Sequence, residues 1–306
     1  MNGLILKSVG SWYDILGEDK KLYKGRLKGI FKLLDKKLTN PIAVGDNVGF
    51  EAEENQQTVV IDQIKDRINY IIRKSVHKSQ HSHIIAANID EAFLVVTLVS
   101  PQTSLGFIDR FLTSADSFRI PVSMIFNKID LYDEKAIKYH DELLNVYQTI
   151  GYRCFSLSAA QNIGVEPLIK YMKGKKILIS GHSGVGKSTL MNRISPNLDL
   201  KTLPVSNFAN KGVHTTTFAE MFDLGNDTFL IDTPGIKEFG LFEIEKYEIS
   251  HFFPEMRVLI GQCKFNTCIH VNEPGCVIKQ AVIEGTIAES RYKSYLSMLQ
   301  DDDNRQ

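Results

Sequence analysis

Eight consecutive residues, Gly181-His182-Ser183-Gly184-Val185-Gly186-Lys187-Ser188, restrict what this chain can fold into more than any other segment. The glycines let successive backbone N–H groups converge on one point with no side chain in the way, which is a cradle for phosphate oxygens. The segment before it, Lys176–Ser180, is apolar and reads as a strand, and the segment after it, Lys187–Ser195, reads as a helix. A helix starting near Lys187 turns the positive end of its macrodipole toward the same cradle. In that setting Lys187 is expected to reach the β- and γ-phosphates and the Ser188 hydroxyl to ligate Mg²⁺, with Thr189 joining the nucleotide-contacting set. Loops of this kind sit on parallel sheets covered by helices, and from about residue 85 apolar strands do alternate with helical segments. The expected strands are Ala92–Val99, Val122–Asn127, a short one near Cys154–Leu157, Lys176–Ser180 and Phe229–Asp232. The expected helices are Leu105–Phe118, Glu134–Ile150, Val165–Met172 and Lys187–Ser195.

Three further segments complete a nucleotide site. Asp232-Thr233-Pro234-Gly235 ends a strand, where a carboxylate holds Mg²⁺ through water and a glycine amide senses the γ-phosphate. Lys211-Gly212-Val213-His214-Thr215-Thr216-Thr217 offers hydroxyls for the switch contact to Mg²⁺, with Thr216 ahead of Thr215. Asn127-Lys128-Ile129-Asp130 follows a strand directly. The Asp130 carboxylate can accept from both N1–H and the 2-amino group of guanine, whereas adenine has no donor there, so the base read is guanine. One strand-helix unit later, Ser158-Ala159-Ala160 fits a loop whose backbone amide supports the guanine carbonyl. These base-reading segments precede the phosphate loop, the reverse of the order in ordinary small GTPases. The chain is therefore circularly permuted, with Val165–Met172 and Lys173–Lys175 joining the usual last helix to the usual first strand.

Residues 1–75 read as short strands, Leu4–Lys7, Ser11–Leu16, Leu22–Leu27, Val44–Glu51 and Thr58–Ile64, which suit a five-stranded OB-type barrel. Net charge is zero over 306 residues, but residues 1–80 carry 14 Lys and Arg against 10 Asp and Glu, and the remainder carries 22 against 26. Lys20, Lys21, Lys24, Arg26, Lys28, Lys32, Lys36 and Lys37 supply much of that excess. Such a cluster is either a solvated surface or a phosphate-backbone footprint, and Trp12, Tyr13, Tyr23 and Phe31 are either core or a stacking face for RNA. The polar stretch Lys74–His83 reads as a linker. No apolar run approaches the length of a membrane span, and the N-terminus lacks the layout of a secretory signal, so a cytoplasmic chain is expected.

Beyond Phe242 the pattern becomes irregular and three of the four cysteines gather as Cys263-x4-Cys268-x-His270-x5-Cys276. Three thiolates and one imidazole form a closed ligand set for one structural Zn²⁺; a disulfide pair is the competing reading, and three cysteines in a reducing compartment fit it poorly. Cys154 reads as a buried core residue, and a polar helix is expected around Ala281–Gln300, before an acidic tail. The resulting domains are 1–75, 76–242 and 243–306.

In motif order the chain resembles the RsgA (YjeQ/YloQ) family of circularly permuted GTPases that act in small ribosomal subunit biogenesis. The resemblance rests on Ile85-Ala86-Ala87-Asn88-Ile89-Asp90, Ile108-Asp109-Arg110, the guanine segments, the phosphate loop, the switch segment, Asp232–Gly235 and the cysteine-histidine cluster. It implies an N-terminal OB domain, a permuted GTPase and a C-terminal zinc domain, hydrolysis of GTP to GDP, and a monomeric partner of the small subunit and its rRNA. Where many GTPases place a water-orienting glutamine after the Asp-x-x-Gly turn, this chain has Ile236. His214 is the candidate to place the attacking water, its alternatives being packing or RNA contact. Two other functions compete: a nucleotide-gated RNA-binding module with incidental turnover, and a metabolic phosphotransferase, for which no acid-base constellation is visible.

Overall fold

The computed structural model describes residues 1–29, 41–53, 58–74, 82–195, 219–232 and 244–300. The chain packs as two compact units. The first comprises Met1–Phe93, Glu166–Ser180 and Met191–Ile236, and the second Leu94–Val165, Gly181–Leu190 and Lys237–Gln306.

In the first unit, β1 (Asn2–Val9), β2 (Trp12–Gly17), β3 (Leu22–Leu27), β4 (Asn47–Ala52) and β5 (Thr58–Ile64) form the expected barrel. Neighbouring strands run β1-β2-β3-β5-β4, β3 and β5 pair in parallel, and β4 returns to β1, so the barrel closes and its strands gain partners on both sides. The alternation that marks half-buried strands points Ile5, Ile15, Val48, Phe50, Val59 and Ile61 into the core. Tyr13 belongs to that core at 3% exposure, Tyr23 packs tilted on Phe50, and Trp12 stays 43% exposed. Phe31 lies outside the described residues. Of the basic cluster, Lys20 pairs with Asp227, Lys21 with Asp19 and Arg26 with Glu53, which makes these three part of a neutralised surface.

After the barrel come β6 (Tyr70–Lys74) and β7 (Ser82–Ala87), an antiparallel pair in which Tyr70 faces Ala87 and Ile71 faces Ala86. The stretch read as a linker from Lys74 to His83 thus begins and ends inside strands. Apolar residues at both flanks start the ladder, and its backbone bonds carry it into polar sequence that shows no alternation. Asn69 and Asn88 fasten this pair. Asn69 bonds both the N–H and the carbonyl of Ile89, while Asn88 accepts from Ile68 N–H and donates to the Gly45 carbonyl. The segment Ile85–Asp90 therefore works as scaffold.

The same unit holds β11 (Lys176–Ser180), β12 (Glu220–Asp223) and β13 (Phe229–Asp232), with β11 and β13 parallel and β12 antiparallel to β13. β12, too short to stand out in the sequence, also pairs antiparallel with β1, and Lys7 bonds Glu220 across that seam at 2.9 Å. The permutation junction after α3 (Val165–Met172) is pinned: Lys175 Nζ meets Glu91 Oε2 at 2.8 Å and lies over the Tyr171 ring, whose hydroxyl donates to Glu91 Oε1. Burial alone would lower the Lys175 pKa, but its bonds to Glu91 and Tyr171 outweigh that and raise it.

In the second unit the strand order is β10 (Arg153–Ser156), β9 (Val122–Phe126), β8 (Glu91–Val96), the N-terminal half of β8 belonging to the first unit. β9 and β10 are parallel, which requires the crossover supplied by α2 (Glu134–Ile150). Asp133 caps α2 by accepting from Ala136 N–H, and Gly151 ends it at φ 108°. Helix α1 (Leu105–Ser117) is capped by Ser104. The C-terminal part contains a 3₁₀ stretch Lys246–Phe252, α5 (Pro254–Arg257), α6 (Val277–Ile283) and α7 (Glu289–Gln300) around Phe253, Met256, Ile278, Tyr295 and Met298. The single helix expected over Ala281–Gln300 is two: Gly285 at φ 75° stops α6, and the buried Ile287 turns the chain before α7 begins. No helix among the described residues is long and apolar enough to cross a membrane.

Candidate functional site

The phosphate loop leaves β11 at Gly181 and enters α4 (Lys187–Ile194) at Lys187. Gly181, Gly184 and Gly186 all have φ between 81° and 144°, where side chains are strained. Space enforces the same choice. A Cβ on Gly181 would sit 2.3 Å from the Val95 carbonyl oxygen, and one on Gly186 would sit 2.4 Å from Asn127 Nδ2. Lys187 Nζ donates to the carbonyls of Gly181 and His182 at 2.6 Å each, which bends it over the loop. Ser188 and Thr189 stand in the first turn of α4, which carries no acidic residue to repel an anion. Ser183 lies between the loop's glycines, and Val185 is fully buried beneath it. His182 packs its ring tilted against Phe107 of α1, centroids 3.6 Å apart.

The base-reading segments meet this loop directly. Asn127, 2% exposed, donates from Nδ2 to the Val185 carbonyl at 2.8 Å and accepts at Oδ1 from Ala159 N–H at 3.0 Å. One side chain thereby links the phosphate loop to the Ser158–Ala159 turn. Ser158 is buried, exchanges backbone hydrogen bonds with Ile163, and accepts at Oγ from Gln161 N–H. Lys128, held at φ 64°, extends Nζ to the carbonyls of Gly184 and Ser100 at 2.7 and 2.6 Å. Burial lowers its pKa, with Asp130 opposing. Asp130, in the short 3₁₀ turn Ile129–Leu131, has a buried Oδ1 with no hydrogen-bond partner. A buried carboxylate oxygen without a donor costs about 1–3 kcal/mol, so the position calls for a ligand N–H.

Asp232 closes β13, as expected. His214, Thr215, Thr216, Gly235 and Ile236 fall outside the described residues.

In the C-terminal part, one ligand atom from each of Cys263, Cys268, His270 and Cys276 lies within 4.8 Å of the others. A tetrahedral ion with Zn–S near 2.3 Å and Zn–N near 2.05 Å requires S···S of about 3.8 Å and S···N of about 3.5 Å. The observed distances are 3.9 Å for Cys263–Cys276, and 3.6 and 3.5 Å from His270 Nδ1 to Cys263 and Cys276. All four cysteines are free, and the donor set fits zinc and not a disulfide. Burial lowers the His270 pKa, favouring the neutral imidazole a metal needs. Tyr292 and Tyr295 brace the loop by donating to the carbonyls of His270 and Ile269. Glu273 accepts the backbone N–H groups of Ile269, Val271 and Asn272.

Sequence reasoning missed a buried ion network in the second unit. Asp109 and Arg291 are fully buried; Arg291 Nη1 meets Asp109 Oδ1 at 2.6 Å and its Nε meets Glu255 Oε1 at 2.7 Å. Tyr147 also donates to Asp109 at 2.8 Å. Burial raises Asp109 against the pull of Arg291, and Arg291 is held protonated by its two carboxylates despite its own burial. Ile108-Asp109-Arg110 stood out as a segment, but Arg291, in an ordinary polar helix, gives no sign of its partner 182 residues away.

Family models for the RsgA GTPase and the RsgA N-terminal domain match residues 64–242 and 2–60. The small ribosomal subunit biogenesis GTPase RsgA of Bacteroides fragilis is 50% identical over 301 residues, covering 98% of this chain and 97% of that one. Its counterpart in Cytophaga hutchinsonii is 51% identical over 304 residues, 99% of each chain. Among solved structures, YjeQ from Thermotoga maritima aligns with TM-score 0.81 at 34% identity, over 97% of this chain and 96% of that one. YloQ, a circularly permuted GTPase, aligns at 0.77 and 28% identity, over 97% and 93%. With a phosphate loop that follows its own base-reading loops, behind a five-stranded barrel and ahead of a Cys₃His cluster, the chain belongs to the RsgA family of circularly permuted GTPases.

Proposed function

We propose that this chain hydrolyses GTP to drive a cycle of binding to and release from the small ribosomal subunit during its assembly. The observation that carries the guanine part is the buried, partnerless Asp130 Oδ1 beside Asn127 and Lys128, both bonded to the phosphate loop. Guanine N1–H and its 2-amino group supply the missing donors, and Ala159, whose amide already serves Asn127, places its turn against the base. Asn127 and Lys128 hold loop and base at fixed separation. The backbone N–H groups of Gly181–Ser188 take the phosphates, and Lys187 exchanges its carbonyl partners for the β- and γ-oxygens. Mg²⁺, held by Ser188, Thr216 and, through water, Asp232, would neutralise charge developing between those oxygens. Gly235 senses the γ-phosphate and His214 places the water.

The C-terminal cluster holds one structural Zn²⁺, four protein ligands leaving no position open for catalysis. The subunit is engaged in the GTP form through rRNA contacts of the barrel, where Trp12 is exposed, and of the zinc module. The chain acts as a monomer in the cytoplasm. Names of the close relatives as small ribosomal subunit biogenesis GTPases support this reading.

The test is GTP turnover by the pure chain, alone, with small subunits and with large subunits. Slow turnover alone and strong stimulation by small subunits only is the expected result. Equal turnover in all three would refute the partner assignment and bring forward the nucleotide-gated RNA-binding module.

A further inference from the structure

The two base-reading turns are tied by Leu157 N–H to the Phe126 carbonyl, Ile129 N–H to the Leu157 carbonyl and Ala159 N–H to Asn127 Oδ1, and one helix side chain adds a clamp where both strands end. Phe126 and Ser156 are register partners, the last residues of the parallel strands β9 and β10. From Phe126 the chain enters Asn127–Asp130, and from Ser156 it enters Leu157–Ala159. His140 of α2, 8% exposed, touches both strand ends at once. Its Nε2 lies 2.8 Å from Ser156 Oγ, and its ring meets Phe126 edge-on with centroids 5.2 Å apart. Tyr132, just beyond Asp130, packs on the same ring at 5.6 Å.

The proton arrangement follows from the partners. Asp141, as a carboxylate, can only accept, and its Oδ1 lies 3.1 Å from His140 Nδ1. Nδ1 therefore carries the hydrogen, Nε2 accepts, and Ser156 Oγ–H donates to it. The product of this chain of bonds is a fixed position for Ser156.

We infer that His140 is a positioning residue for base selectivity: by bolting Phe126 and Ser156 at one separation, it helps to set the gap across which Asp130 and the Ser158–Ala160 turn read guanine. The inference deepens the guanine reading above and rests on it. Its consequence is specific to the base. Losing the bolt lets the Ser158–Ala159 turn drift from Asp130, so contacts to guanine weaken while contacts to phosphate, made by the loop Gly181–Ser188, stay. A displacement of under an ångström is enough to degrade such hydrogen bonds.

The experiment is competition by GDP and by ADP against a fluorescent guanine nucleotide, on the full chain and its His140→Ala, His140→Gln and Ser156→Ala variants, with melting temperatures beside each. In His140→Ala and Ser156→Ala, GDP affinity falls roughly tenfold, the change expected for about one hydrogen bond, while ADP affinity holds, so the GDP-to-ADP preference drops by the same factor. His140→Gln, which can still bond Ser156, recovers part of it. Equal loss of GDP and ADP, or a lowered melting temperature with the preference intact, overturns the inference and leaves His140 as packing. Should His140→Ala fail to fold, Ser156→Ala decides alone. If the unsubstituted chain itself shows no preference for GDP, the guanine reading is what has failed.

Discussion

Replacing Arg291 with methionine removes the cation that is paired with two buried carboxylates. Asp109 is completely buried and Glu255 is 9% exposed, and Arg291 meets them at 2.6 and 2.7 Å while its guanidinium lies 4.5 Å from the centre of the Phe253 ring. Methionine keeps an unbranched, flexible apolar stem but ends short of the guanidinium, so the change is loss of the charge with a smaller loss of packing. Removing one partner of a buried pair typically costs about 3–5 kcal/mol, because the remaining charge cannot regain its hydration. Tyr147 stays bonded to Asp109, which keeps the expected value toward the lower end. For a unit of this size that corresponds to a melting shift of roughly 6–20 °C. Calorimetry or near-ultraviolet dichroism of the tyrosines suits the measurement, since the only tryptophan, Trp12, sits in the barrel and reports on the other unit. Adding Asp109→Asn to Arg291→Met should recover part of the loss, and Arg291→Lys should not, because one ammonium cannot reach both carboxylates with the same fork geometry. A melting temperature for Arg291→Met within about a degree of the unsubstituted chain would refute the reasoning, by showing that water reaches Asp109 without cost.

Chelating zinc, or substituting Cys276 with serine, should release about one metal ion per chain and unravel the module packed on Ile278, Tyr295 and Met298, read by a metal-indicator dye and by loss of helical dichroism. Retention of full helicity after quantitative metal loss would contradict that. Cys154, whose thiol burial pushes up to about 12 from 9.0, should alkylate slowly in zinc-loaded protein. The thiolate is the reactive form and is favoured as pH rises, so the rate should climb about tenfold per unit through pH 8 to 11, from a value near pH 8 about 10³-fold below that of an ordinary cysteine. A plateau near pH 9 in peptide-resolved mass spectrometry would sink the prediction.

Much of the architecture could be read before any coordinates because its signals are local. The strands Leu22–Leu27, Thr58–Ile64, Lys176–Ser180 and Phe229–Asp232 and the helices Glu134–Ile150 and Val165–Met172 appear with the expected ends. The phosphate loop and the Cys₃His set were legible for the same reason, since ligand spacing is written along the chain. What escaped is what depends on distant partners. β12 is four residues long and becomes a strand because β1 and β13 flank it, and β6 and β7 extend into polar sequence because each has the other. His140 and Arg291 look like ordinary polar residues of amphipathic helices, and only tertiary placement shows one as a bolt and the other as a buried counter-charge. The helix expected over Ala281–Gln300 breaks at Gly285, whose positive φ is a stop signal the sequence itself carries.

The seam between β1 and β12 bears on how this chain could be dissected or recombined. With Lys7 facing Glu220, the barrel's first strand covers what would otherwise be the raw edge of the β11-β13-β12 sheet, and an open groove of about 350 Å³ lined by Leu6, Leu16, Lys20, Leu22, Met221, Phe222 and Asp223 lies along the same line. A truncated chain lacking the barrel would present unpaired backbone groups and apolar side chains together, the pattern that recruits foreign strands and precipitates. The two modules are therefore poor candidates for free shuffling: a graft that exchanged the barrel would have to bring a first strand able to close that edge, and a protease cut in the segment between them would leave the fragments held by the sheet.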